Sequence, residues 1–305
     1  MLDDLLLSRS VVDRAAHLRT DAGWHRDRML DPSTRVLWAG RDAAAMVDEE
    51  RLLLTPGTAL DPQVVRDLSF LGIGADGRAY YAMHIDAAAD TPEDAQLRSL
   101  REVGSRISDL EAGLMVAAVA LHNWRVSTRF CPECGSALEI ASAGWAMRCP
   151  VDGREEFPRT DPAVIVLVID RDDRAMLGRQ VRWDLGRFST FAGFVEAGES
   201  AEAAVRREVF EETGIRIGPD PDDLLFLGSQ PWPFPRSLML GYHAWTDHTD
   251  ISVDQDEIAE AYWFSRAELA DAVAAGRVLL PPSVSVSRRL IERWFGAPLP
   301  GGWGR

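Results

Sequence analysis

The stretch at residues 193–215 constrains this chain more than any other part of its sequence. It reads GFVEAGESAEAAVRREVFEETGI, in which glycines flank a run of strong helix formers. Gly193 and Gly198 allow the tight backbone of a loop, Ser200 supplies a helix N-cap, and Gly214 ends the helix. The stretch therefore predicts a loop followed by a helix over residues 201–212.

Three carboxylates on the predicted helix indicate its chemistry. Glu208, Glu211 and Glu212 stand at i, i+3 and i+4, so they share one helical face and repel each other unless a cation neutralises them. Oxygen ligands of this kind suit Mg²⁺ or Mn²⁺ bridging to substrate phosphates. Arg207 is predicted to face away from the three and to pair with Glu199, joining the loop to the helix. A solvated acidic helix is the alternative, which the complete filling of a long, gapped pattern disfavours.

The cysteines form a second motif, C-x2-C-x14-C-x2-D. Two such knuckles predict a zinc ribbon, in which the metal replaces an absent core. The predicted zinc ligands are Cys131, Cys134, Cys149 and Asp152. Asp152 stands where a fourth cysteine is expected, and a carboxylate is a harder ligand that lowers zinc affinity. The alternative is a ribbon that has lost its metal and is held by packing.

Composition limits the class of protein. A chain of 305 residues with 46% hydrophobic residues has enough core material for two domains. The net charge of −15 opposes loose binding to nucleic acid or to an anionic membrane. The apolar runs are too short to span a bilayer, and the first residues do not resemble a secretory signal. Cysteines at metal spacing suggest a reducing compartment, so we expect a soluble cytoplasmic protein.

The first 125 residues show a mixed pattern. Strands are predicted near Val36, Arg51 and Ala79, and a long helix is predicted over residues 95–124. Residues 72–77 match the dinucleotide fingerprint G-x-G-x-x-G, but a predicted strand follows them where a nucleotide site needs a helix. A hairpin turn is the better interpretation of these glycines.

Residues 229–237, SQPWPFPRS, form a third motif. Three prolines remove backbone donors and stiffen the segment, so it cannot be a central strand. A rigid segment that holds Trp232 and Phe234 is suited to stacking a nicotinamide or adenine ring. A loop that packs against a partner subunit is the alternative, and the two are compatible.

These motifs resemble a known family. The stretch at 193–215 is similar to the Nudix box, and SQPWPFPRS is similar to the signature of the NADH pyrophosphatase subfamily of Nudix hydrolases. The ribbon, the N-terminal region and LLPPSVSVSRRLI from Leu279 also resemble that subfamily, so the likeness covers nearly the whole chain. It implies an α+β protein with an N-terminal α/β domain at 1–125, a short zinc ribbon at 126–158 and a C-terminal Nudix α/β/α sandwich at 159–295. An irregular, mobile tail is expected at 296–305.

The resemblance also implies an activity. Members hydrolyse the pyrophosphate bond of NAD(H) to nicotinamide mononucleotide and AMP, remove NAD caps from RNA 5′ ends, and are homodimers. One alternative is a Nudix hydrolase of another diphosphate, such as ADP-ribose. Another is a non-catalytic zinc-ribbon protein that binds RNA, which the intact acidic trio disfavours.

Site residues carried over from the family are expectations of the same kind. The catalytic carboxylates are Glu208, Glu211 and Glu212, and either of the last two could act as general base. The Mg²⁺ or Mn²⁺ ligands are Glu208, Glu212, Glu257 and the carbonyl of Ala192. The substrate-binding residues are Phe157, Gln230, Trp232, Phe234, Ser237, Glu257 and Ser287. Gly193, Glu199 and Arg207 have structural roles.

Overall fold

The structure is a computed structural model that describes residues 1–2, 5–61, 67–86, 91–92 and 95–303. The chain divides into two compact units. The N-terminal unit comprises Leu7–Thr160 and Pro231–Ser237, and the C-terminal unit comprises Met1–Leu6, Asp161–Gln230 and Leu238–Arg305. None of the described helices is long and apolar enough to cross a membrane.

The N-terminal unit contains a mixed sheet. Its strands are β1 (Arg35–Ala39), β2 (Ala43–Met46), β3 (Leu54–Pro56), β4 (Ser69–Ile73), β5 (Ala79–His84) and β6 (Gln96–Ser99). They are ordered β4-β5-β1-β2-β6, with β3 also pairing with β1, and β1 runs parallel to β5. The helices of this unit are α1 (Ala22–Leu30), α2 (Leu100–Val103) and α3 (Asp109–Ser127).

The strand pairing confirms one prediction for this unit and corrects another. β4 and β5 form the antiparallel hairpin expected at the glycine-rich segment, and Gly77 adopts a φ of 77° in its turn. The helix predicted over 95–124 is wrong in its first part, because residues 96–99 pair with β2 instead. The long helix begins only after Ser108, whose side chain forms a capping box with Glu111.

The ribbon region has short strands, as predicted. They are β7 (Glu139–Ala141), β8 (Ala146–Arg148) and β9 (Glu155–Glu156), and they form a three-stranded antiparallel sheet in the order β7-β8-β9. A sheet this small buries little apolar surface, so it needs a further source of stability.

The C-terminal unit is an α/β/α sandwich, which confirms the predicted fold class. Its strands are β10 (Asp161–Asp170), β11 (Ala175–Gln180), β12 (Phe191–Phe194), β13 (Leu224–Trp232), β14 (Ser237–Thr246) and β15 (Ile258–Phe264). Its helices are α4 (Ala201–Thr213), α5 (Arg266–Ala274) and α6 (Val286–Phe295). The sheet order is β13-β14-β10-β11-β15, with β12 pairing with β10. The proline-containing strand β13 therefore lies at an edge, as its composition requires.

Alternate residues of β10 explain the two helical layers. Val164 and Val166 belong to a core that includes Val205 of α4. Ile165 and its neighbours on the opposite face belong to a second core that includes Leu290 of α6. Because successive strand residues point to opposite faces, this uninterrupted apolar strand is buried on both sides.

Candidate active site

Helix α4 is formed and ended as the sequence predicts. The Ser200 side chain accepts a hydrogen bond from the Ala203 amide, and Gly214 ends the helix with a φ of 71°. The three carboxylates of this helix nevertheless have different surroundings. Glu212 is only 3% exposed, whereas the side chain of Glu211 is 57% exposed and that of Glu208 lies between them.

Gly193 on β12 permits the close approach of Glu208. A Cβ atom at residue 193 would lie 1.9 Å from Cδ of Glu208, so only glycine leaves room for the carboxylate where it stands. The backbone of β12 and the functional side chain of α4 therefore lie in direct contact. This explains why the 193–215 stretch begins with a glycine.

Gly193→Ala is expected to lower turnover about tenfold, because the displaced Glu208 carboxylate leaves its productive position. Gly198→Ala is the matched control, since its Cβ would meet nothing within 4 Å. That control should cost about 1 kcal/mol of stability, because residue 198 has a positive φ, and should keep its turnover. Steady-state kinetics with thermal unfolding of both variants checks the pair. Normal turnover of Gly193→Ala would mean that the position of Glu208 is not critical.

Glu212 is the electrostatic centre of the site. Its Oε2 atom is buried and has no hydrogen-bond partner among the residues that the structure describes. Burial raises the pKa of Glu212 to about 8, with further contributions from Glu208, Glu257 and Asp254, while the Ala192 amide opposes the shift. Converging carboxylates with an unpartnered buried oxygen fit a divalent cation with oxygen ligands.

Glu257 joins the cluster from the segment before β15. Its backbone carbonyl accepts a hydrogen bond from the Val181 amide at 2.9 Å. Its side chain is exposed, and its charge contributes to the raised pKa values of both Glu208 and Glu212. The charge of Glu257 therefore acts on the carboxylates of α4, and its role as a cation ligand stays a prediction.

Asp254 is a site residue that sequence reasoning missed. Its Oδ1 atom accepts hydrogen bonds from the amides of Asp256, Glu257 and Ile258 at 3.2, 3.0 and 3.1 Å. This arrangement fixes the backbone that carries Glu257. The available signal was an aspartate three residues before the predicted ligand, because an aspartate side chain commonly accepts from backbone amides two or three residues further on.

Arg207 pairs with Glu199 as predicted, through contacts of 2.9 and 2.8 Å. The prediction that it faces away from the acidic trio is wrong, because it also donates to Glu208 at 2.8 Å and to Glu211 at 2.9 Å. Its long side chain reaches back over the turn of helix that carries both. Hydrogen bonds raise the pKa of Arg207, with the largest contribution from Glu199 and smaller ones from Glu208 and Glu211. The same pairing with Arg207 lowers the pKa of Glu199 to about 2.

Two of the predicted substrate-binding residues lie inside the fold. Gln230 is fully buried and donates to the carbonyl of Val284 at 2.9 Å. Ser287 is also buried, where its hydroxyl contacts that of Ser189 at 2.9 Å and accepts from the Thr190 amide at 3.1 Å. These side chains support the strand and loop segments around them, and their contact with substrate stays a prediction.

The aromatic segment at 231–237 is held within the N-terminal unit. The rings of Trp232 and Phe234 meet edge to face with centroids 5.0 Å apart. The Arg101 guanidinium lies 4.2 Å from the Phe234 ring and 5.4 Å from the Trp232 ring. Asn123 of α3 donates to the carbonyl of Pro233 at 2.7 Å, which fixes the turn. The segment is therefore a rigid aromatic surface with a cation stacked on it.

A pocket of about 450 Å³ opens beside this aromatic surface. It is lined by Arg41, Asp42, Arg101, Asn123, Val126, Ser127, Phe234 and Pro235. Sequence reasoning did not identify Arg41, Arg101 or Asn123, because no motif marks them and only the fold brings them to this segment. Of the other predicted contacts, Phe157 is 51% exposed and Ser237 is half-buried at the start of β14.

The four predicted zinc ligands come together. Their ligand atoms all lie within 4.8 Å of one another. The Sγ atoms of Cys134 and Cys149 are 3.4 Å apart, and Sγ of Cys131 is 3.3 Å from Oδ2 of Asp152. Sulfur atoms around a tetrahedral zinc are roughly 3.8 Å apart when Zn–S is about 2.3 Å, so the cluster fits zinc.

Fold and site together define a class. Residues 159–282 match the family model described as the NUDIX domain. Residues 127–157 match the NADH pyrophosphatase zinc ribbon domain, and residues 25–124 match the NADH pyrophosphatase-like rudimentary NUDIX domain. The protein is therefore a Nudix hydrolase.

Individual relatives identify the family within the Nudix hydrolases more closely. The NAD-capped RNA hydrolase NudC of Mycobacterium bovis is 42% identical over 305 residues, covering 95% of this chain and 94% of that protein. The protein of the same name from Mycobacterium tuberculosis matches with the same identity and coverage. Human NAD-capped RNA hydrolase NUDT12 is 38% identical over 202 residues, covering 62% of this chain and 43% of that protein. The chain belongs to the NADH pyrophosphatase family of Nudix hydrolases.

Proposed function

We propose that the protein hydrolyses the pyrophosphate bond of NAD(H), giving nicotinamide mononucleotide and AMP, and that it removes NAD caps from RNA 5′ ends. The observation that carries the proposal is the buried Oε2 of Glu212, which has no partner among the described residues and whose pKa is raised by the charges of Glu208 and Glu257. A protein that only binds its ligand gains nothing from such a cluster. The names of the relatives that match over nearly the whole chain support the choice of substrate.

Glu208, Glu212 and Glu257 would hold Mg²⁺ or Mn²⁺, with the Ala192 carbonyl as a further ligand. The bound cation supplies neutralisation of the diphosphate oxygens and an acidified water. We assign the proton-accepting role to Glu212, because Glu211 is exposed and its Oε2 is bound by Arg207 at 2.9 Å. Arg207 keeps Glu208 and Glu199 in place by donating hydrogen bonds to both carboxylates.

Recognition of the substrate ring is assigned to Trp232 and Phe234. Arg101 and Arg41 line the adjoining pocket, where their positive charge suits a phosphate. Phe157, Gln230, Ser237 and Ser287 are proposed contacts on the strength of the family likeness. We propose domain boundaries at 1–125, 126–158 and 159–295 with a tail at 296–305, a homodimer, and a cytoplasmic location that keeps the ribbon cysteines reduced.

Product analysis tests the function. Purified protein is incubated separately with NADH, ADP-ribose and NAD-capped RNA, each with Mg²⁺ or Mn²⁺. We expect nicotinamide mononucleotide with AMP from NADH, and 5′-monophosphate RNA from the capped RNA. Faster cleavage of ADP-ribose than of NADH would instead make another diphosphate the substrate.

Trp232→Ala is expected to raise KM for NADH by about 5- to 150-fold with little change in kcat, because stacking on a base contributes roughly 1–3 kcal/mol. Trp232→Phe retains a ring and serves as the control, with a much smaller rise. Kinetics on NADH and on a diphosphate that lacks the nicotinamide ring separate recognition from folding. Equal losses on both substrates would show that Trp232 only supports the structure.

A further inference from the structure

The segment at 296–303 follows α6 and is anchored by a buried cation. Arg288 is 5% exposed, and its guanidinium donates to the carbonyls of Leu299 and of Gly301, the latter at 3.0 Å. Glu292 accepts from both Nε of Arg288 at 2.8 Å and the Leu299 amide at 3.1 Å. The segment is irregular through residue 303, as its sequence predicts, and its mobility stays a prediction.

These contacts place Trp303 against a loop of the C-terminal unit. The Trp303 amide donates to the Leu280 carbonyl at 2.9 Å. Its ring meets that of Trp183 edge to face with centroids 4.5 Å apart, and the Arg187 guanidinium lies 5.9 Å from it. Trp183 and Arg187 belong to the 181–187 loop that connects β11 to the box.

The 181–187 loop is bonded to the segment that carries Glu257. The Val181 amide donates to the Glu257 carbonyl at 2.9 Å. Arg179 donates to the Trp183 carbonyl at 3.1 Å and pairs with Glu260 of β15 at 2.5 Å. The loop is thus held on one side by Trp303 and is joined on the other side to the backbone of a proposed metal ligand.

Packing of the tail alone does not account for Trp303. Leu299 is only 8% exposed and already attaches the tail to the core. Trp303, in contrast, is half-exposed, and its ring contacts the 181–187 loop. We propose that Trp303 is a positioning residue, which holds the 181–187 loop and through it the backbone of Glu257. The inference rests on the proposed role of Glu257 in binding the catalytic cation.

Binding of Mn²⁺ to the zinc-loaded full chain, without substrate, tests the inference. The free Mn²⁺ signal in electron paramagnetic resonance gives the dissociation constant. Trp303→Ala is expected to raise it about 3- to 10-fold, as is usual for residues that couple to a site through others. Trp303→Phe should stay within about twofold of the wild type, because it keeps a ring against Trp183. Trp245→Ala, at a half-buried tryptophan beside His243, is the control for lost packing and should bind Mn²⁺ normally.

Further variants separate this inference from the proposed function. Trp183→Ala should reproduce the effect of Trp303→Ala, and the double variant should be no weaker than either single one, because both break one contact. If Trp303→Ala binds Mn²⁺ as the wild type does while Glu257→Gln binds it more weakly, the inference about Trp303 is overturned and the proposed role of Glu257 stands. Unchanged Mn²⁺ affinity in Glu257→Gln would overturn the proposed role of Glu257 first. A rise only in KM for capped RNA would make Trp303 a stacking surface for substrate and also overturn the inference.

Discussion

Glu212→Gln is expected to lower turnover by at least ~10²-fold and to stabilise the protein when Mg²⁺ and Mn²⁺ are absent. Glutamine keeps the shape of the side chain but removes the charge that a cation requires. In the absence of a cation, that charge is buried and repelled by Glu208 and Glu257, and no group in the described part of the chain donates a hydrogen bond to its Oε2. The same substitution therefore removes activity and relieves an unfavourable buried charge.

The stabilisation depends on pH in a defined direction. Burial raises the pKa of Glu212 from an ordinary value of 4.5 to about 8, so the folded protein binds more protons than the unfolded chain between these values. Stability of the wild type must then fall as pH rises through this window. Glutamine does not titrate, so the gain from Glu212→Gln is small near pH 4 and complete above pH 8. Its size is on the order of a few kcal/mol.

Urea unfolding from pH 4 to pH 9 measures this gain, after the catalytic cation is removed by gel filtration so that ribbon zinc stays bound. Glu211→Gln is the matched control, because Glu211 lies one residue earlier on α4 but is exposed and paired with Arg207. That control should lack the pH-dependent gain. Near-normal turnover of Glu212→Gln at saturating Mn²⁺ would remove Glu212 from the mechanism.

Parts of this molecule could be read from sequence because their signals are local. The Ser200 cap, the Gly214 stop and the helix between them depend on neighbouring residues, and so do the turns that carry the ribbon cysteines. The apolar run of β10 identifies a buried strand for the same reason.

Other parts depend on tertiary contacts that no spacing encodes. Gln96–Ser99 has a helix-compatible sequence, but pairing with β2 makes it a strand. Arg101 and Asn123 meet the Trp232 segment only because the chain returns to the N-terminal unit more than a hundred residues later. Arg207 has three acidic neighbours within reach, and only the packed helix shows that it binds all of them.

The second large effect is expected at the ribbon. Cys131→Ser should abolish zinc binding and unfold the ribbon, because a structural zinc is worth about 10–16 kcal/mol in small zinc domains and the three-stranded ribbon sheet has little core of its own. Glu133→Ala changes the same knuckle at an exposed residue paired with Arg154, and it should retain zinc. Metal analysis of protein purified without chelator should give one zinc per chain for the wild type and for Glu133→Ala.

Asp152 is expected to determine how firmly that zinc is held. Its Oδ2 lies 3.3 Å from Sγ of Cys131. A hydrogen bond from the Arg154 amide, with a smaller contribution from Cys149, lowers the pKa of the Asp152 carboxyl to about 2. The carboxyl is therefore ionised and available as a ligand. Asp152→Cys should tighten zinc against a competing chelator, and Asp152→Ala should loosen it, because a thiolate is the softer ligand and alanine provides none. Zinc well below one per chain in the wild type, with the ribbon still folded, would show that packing holds this sheet and that the cysteines are not ligands.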